Sequence, residues 1–190
     1  MPDYEKPAGK DNIFAHIFYE FRMYIDTYNA FGYLEETINR IKVDDGFKTP
    51  FLDYTFFNNI LIESHATHLR NLIYFFTSKK GNINLSTVFV TIPQIGISDP
   101  HDKMSKLISQ ALSHLTEDRY KSTYAIKGVE KDLPEALIDL INEMHPVIYG
   151  KITDYVRILS NGDTVKDEFK EMLLCYRPKI EAFKRDYSYL

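Results

Sequence analysis

Apolar residues recur at helical spacing over most of this chain, and the densest run lies between Thr49 and Ser78. Thr49 suits an N-cap, and Pro50 suits the first helical position, where its missing N–H costs nothing. From Phe51 to Ser78 there is no glycine or proline. At 100° per residue, Tyr54, Phe57, Leu61, Ser64, His65, His68, Leu72, Phe75 and Phe76 fall on one side, with Phe56, Ile60, Ile73, Tyr74, Glu63 and Arg70 opposite. A helix apolar nearly all round is enclosed on several sides. Its His, Asn, Glu and Arg content is too polar for a membrane span. The pattern predicts the central helix of a bundle, carrying a polar island of Glu63, His65, His68, Arg70 and Asn71.

Other helices flank it. From Asp11, a good N-cap, Phe14, Ile17, Phe18, Phe21, Tyr24, Ile25 and Tyr28 mark a helix to about Lys42, which Gly32 is expected to bend or interrupt. Lys79-Lys80-Gly81 is a helix stop. Val88–Ile92 is the only strand-like piece, and a lone strand has no partner. It therefore reads as part of a long extended loop over about residues 81–98. Asp99-Pro100 opens another helix, with Met104, Leu107, Ile108, Ala111 and Leu115 on its stripe. A polar joint leads to Asp132, read as the N-cap of a helix through Leu159 in which Glu135 resembles a capping box and Pro146 should kink or split the rod. Asn161-Gly162 is a stop. The last helix, Asp163 to about Arg185, carries Val165, Phe169, Leu173, Leu174 and Phe183 and is bent by Pro178. The expectation is an all-α, single-domain bundle of about five to six helices over residues 11–190, preceded by a loose arm at 1–10.

Composition alters the picture in two ways. With 14 Tyr, 13 Phe and no Trp, aromatic rings must fill much of the core, and many phenols need partners. A net charge of −4 disfavours nucleic acid or anionic membrane as a general partner. Lys79, Lys80, Lys166, Lys170, Lys179, Lys184 and Arg185 still offer a local basic patch, against the plainer reading that they are solvated charges interleaved with acids. The single cysteine, Cys175, leaves no internal disulfide and reads as an ordinary, partly buried residue. Without an apolar leader or spanning run, the expected setting is cytoplasmic.

Several chemistries lack their motif. The eight glycines are scattered, and no phosphate-binding loop exists. None of the six histidines has Glu three residues before it, as di-metal carboxylate bundles require. Ser64 and His65 are neighbours pointing apart on a helix, so they are no nucleophile–base pair. No cofactor or metal is expected. His65 and His68 share a face at a spacing that suits a metal or a proton near neutral pH. The competing reading makes them core histidines bonded to tyrosines or carbonyls, with Arg70 matched by Glu63 or another carboxylate. A second polar stretch, Ser113-His114-Leu115-Thr116-Glu117-Asp118-Arg119, reads either as a site or as a helix end knitted by local bonds.

The stretches His68-x-Arg70-Asn71-Leu72-Ile73-Tyr74-Phe75-Phe76 and Ser113-His114-Leu115-Thr116-x-x-Arg119 are similar to paired signatures of small bacterial all-helical proteins. The Arg-Asn pair with a later His also resembles the HEPN superfamily of helical bundles. That resemblance implies either a dimeric ribonuclease or an inactive binding or scaffold module. The family's signature places Arg, a polar residue and His on one helix; here no arginine has a His five to seven positions later. A catalytic cluster would need His114 to pack beside Arg70 and Asn71, with Arg70 stabilising phosphorane-like charge. His65, His68, Glu63 and Arg119 are the accompanying binding candidates. The leading expectation is a non-catalytic module acting by self-association or with a protein partner. A metal-independent endoribonuclease and a Tyr/His-lined small-molecule pocket between helices are the alternatives.

Overall fold

The computed structural model describes residues 12–43, 54–77, 83–91, 124–126, 129–131 and 133–188, with side chains at 12–33, 60–77, 83–91 and 138–188. In chain order these hold α1 (Ile13–Val43), α2 (Tyr54–Thr77), α3 (Leu85–Val88), β1 (Tyr124–Ile126), β2 (Val129–Lys131), α4 (Leu133–Asn161) and α5 (Asp167–Asp186). The fold is all-α, as the periodicity requires. The segments read as an arm at 1–10 and as a helix from Asp99 to Leu115 lie outside the described residues.

The long helices meet at Phe21. Its fully buried ring packs against Phe75 and Phe76 of α2, Tyr155 of α4 and Phe183 of α5, with centroids 5.4–6.3 Å apart. The pairs Phe21–Tyr155 and Tyr24–His145 run α4 antiparallel to α1, while Phe14–Tyr176 and Phe18–Phe183 run α5 parallel to it. Rings supply this core because the apolar stripe of α1 is itself aromatic, and edge-to-face packing fills the volume between four rods. On α2, no residue from Leu61 to Thr77 is fully exposed, as an all-round apolar pattern demands.

Several local expectations need correction. The α1 cap bond comes from Asn12, whose Oδ1 accepts from the Ala15 N–H at 3.1 Å. Gly32 does not interrupt α1, which is continuous through it. Pro146 does not split α4, which is continuous through it, and α5 likewise runs unbroken through Pro178. Both prolines are exposed, and the carbonyls they leave without a helical donor belong to the exposed Asn142 and Leu174, so no buried group loses its bond. Leu174 is 59% exposed, not core, and Cys175 beside it is exposed rather than partly buried. These two residues lie off the α5 stripe made by Leu173, Tyr176, Ile180 and Phe183.

The strand-like piece does find a partner. Val90 N–H donates to Thr164 at 2.9 Å and Lys166 N–H donates to Val88 at 3.0 Å, pinning Phe89 against Val165 in the α4–α5 connection. Both side chains are buried, so apolar anchoring fixes the crossing. The long extended loop expected over about residues 81–98 contains the short helix α3, and the ribbon of β1 and β2 falls in what reads as a polar joint, with Ala125 opposite Glu130. At Gly162, φ of 75° gives the left-handed turn that ends α4, where its N–H reaches the Ile158 carbonyl at 3.3 Å.

Candidate functional site

Three members of the α2 polar island, His65, His68 and Asn71, face α1, which supplies their partners. Residues Tyr24, Thr27, Tyr28 and Phe31 follow helical spacing on α1 and surround one imidazole, that of His65. The Tyr24 ring stacks on it with centroids 4.6 Å apart, and Phe31 meets it edge-on at 5.8 Å. His65 is fully buried, and its Nδ1 lies 2.9 Å from Thr27 Oγ1.

The proton on that contact can be assigned. Thr27 Oγ1 sits 2.6 Å from the Met23 carbonyl and 3.1 Å from the Tyr24 carbonyl. Carbonyl oxygens only accept, so the single hydroxyl proton goes to Met23. Thr27 then accepts from His65 Nδ1–H, which has the Tyr24 backbone carbonyl as a second acceptor. The remaining nitrogen, Nε2, is a bare lone pair, buried and without a partner among the described residues. Burial foremost, then the nearby His145, lowers the His65 pKa to about 3, so the ring is neutral at ordinary pH.

His145 of α4 completes this junction. Its Nδ1 is 3.1 Å from the Tyr24 hydroxyl, and its ring stacks on Tyr28 with planes 6° apart. Burial lowers its pKa to about 4 and raises that of Tyr24, which keeps its phenolic proton. Tyr155, deeper in the aromatic core, also has a buried hydroxyl without a partner among the described residues.

One turn along α2 the chemistry changes. Glu20 Oε2 accepts from His68 Nδ1–H at 2.7 Å and from the Asn71 amide at 3.2 Å. The Tyr19 ring stands edge-on to His68 at 6.1 Å. The His68 and Glu20 side chains are 11% and 27% exposed, so this pair lies at the rim of the α1–α2 seam. A carboxylate on Nδ1 fixes the ring orientation and leaves Nε2 pointing away from the pair.

Of the residues singled out from the sequence, the structure brings His68 and Asn71 together on Glu20. His65 lies apart from them, in the aromatic junction. Glu63 and Arg70 are half-buried on the other side of α2. His114 and Arg119 lie outside the described residues, as does any packing of His114 on Arg70. Glu20, Tyr24, Thr27 and His145 were missed as site partners. A signal existed for two of them: Glu20 and Thr27 sit at three-residue steps from the core positions Ile17 and Tyr24, where a polar side chain must be paired.

Among the described residues no three His, Cys, Asp or Glu side chains gather as a metal site, and no helix is long and apolar enough to cross a membrane. Comparison with protein-family models, curated proteins and solved structures finds no match to this chain.

Proposed function

We infer that the chain is a non-catalytic helical binding module, acting by association in the manner of inactive HEPN-like bundles in the cytoplasm. The supporting observation is that Glu20 engages both Asn71 and His68, which gives Asn71 a structural task. The test is light scattering at micromolar concentration, paired with an RNA cleavage assay on wild type and His114→Ala. A stable homodimer without cleavage is expected. RNA cutting that disappears in His114→Ala would replace this reading with the endoribonuclease built on Arg70, Asn71 and His114.

A second reading, small-molecule binding at the Tyr24/Tyr28/His65/His145 junction, is favoured by the buried Nε2 of His65, which has no partner among the described residues. A thermal-shift screen distinguishes it: ligands that stabilise wild type but not His65→Leu support it, and an empty screen removes it.

A further inference from the structure

A cleft of about 370 Å³ opens between the C-terminal turns of α4 and α5, away from the histidines of α2. Its α4 wall is the stripe Thr153, Val156, Arg157 and Ser160, and α5 contributes Phe183 and Lys184, followed by Tyr187. The volume falls within the roughly 300–1,000 Å³ of small-ligand sites. Val156, Phe183 and Tyr187 are buried and make an apolar floor. The Tyr187 hydroxyl donates to Asp26 at 2.7 Å, which fixes that ring in place.

The charge lining is one-sided. Arg157 and Lys184 stand on opposite walls, and no acid is among the lining residues, in a chain whose net charge is −4. Among the described residues each cation is paired with one exposed carboxylate, three residues earlier on its own helix: Arg157 with Asp154 and Lys184 with Glu181, both at 2.9 Å. Exposed pairs of this kind are weak and exchange readily for a better-placed anion. Thr153 and Ser160 donate to carbonyls of their own helix, at 3.1 and 2.8 Å, leaving recognition of charge to the two cations.

We propose that this cleft binds a small organic anion with an apolar body, its carboxylate held between Arg157 and Lys184 and its tail on Val156, Phe183 and Tyr187. It is a ligand site separate from the α1–α2 seam and does not depend on the association reading. The experiment is an amide-shift NMR titration of the full chain with octanoate, and with octanamide as a neutral partner of equal shape. Octanoate should saturate at one equivalent, with shifts centred on Thr153, Arg157, Ser160, Lys184 and Tyr187. Octanamide, and octanoate on Arg157→Gln/Lys184→Gln, should bind about tenfold more weakly. Equal binding of octanamide, unchanged binding to the double variant, shifts centred elsewhere, or no saturable binding would each overturn the proposal.

Discussion

His65 and His68 stand three residues apart on α2, face the same helix and are tied to the bundle in different ways. His65 donates to a threonine that is itself bonded to its own helix, inside a wall of Tyr24, Tyr28, Phe31 and His145. His68 donates to a carboxylate that keeps part of its surface in water. A neutral acceptor in an aromatic enclosure penalises the imidazolium of His65. Spacing along α2 makes the two residues look equivalent; the side chains that α1 presents make them different.

Acidification should produce the largest effect. The folded-state pKa of His65, about 3, lies below the ordinary 6.5, so the unfolded chain binds more protons between those values. Its contribution is therefore fully present above about 6.5 and is lost as pH falls toward about 3, by up to roughly 4 kcal/mol. His145 acts in the same direction from 6.5 down to about 4. Urea unfolding from about pH 7 to about pH 4 measures the slope, which His65→Leu should flatten. An unchanged slope in that variant would place the acid sensitivity elsewhere.

Next comes Thr27→Val. It takes the hydroxyl from the buried His65 Nδ1 and leaves that N–H only the Tyr24 backbone carbonyl, so a loss of about 1–2 kcal/mol is expected by chemical denaturation. Glu20→Ala should cost less, about 0.5–1.5 kcal/mol, because water at the rim can take over from the carboxylate. If it costs as much as Thr27→Val, the rim is as sealed as the interior and the contrast between the two histidines fails. The smallest effect belongs to the outward face of α5: Leu174→Ser and Cys175→Ser should each stay within about 0.5 kcal/mol of wild type.

The rods themselves were legible because their signals are local. Apolar spacing in α1 and α2 and the Asn161-Gly162 stop carry their own physics within a few residues. The pairings were not legible. Glu20 with His68 and Thr27 with His65 join positions 48 and 38 residues apart, and no local propensity encodes such a meeting. The sequence suggests tyrosines or carbonyls as partners of the α2 histidines, and the Tyr24 carbonyl does serve His65. A tyrosine does bond an imidazole, but it is Tyr24 with His145, an α4 residue left out of the reading. Of the two effects expected of Pro146, division of the helix is absent because the residue lies on the exposed side of α4, where the carbonyl it leaves without a helical donor belongs to the exposed Asn142. Val88–Ile92 misled because its partner, Val165, lies in a connection rather than a strand.

Histidine-selective nitrogen NMR on the folded chain tests the junction most directly. Long-range proton–nitrogen correlations should show His65 with its proton on Nδ1, a bare Nε2, and no titration as pH passes the ordinary 6.5. A His65 ring protonated on Nε2, or one that titrates near 6.5, would contradict the buried, threonine-bound imidazole on which the reading of the α1–α2 seam rests.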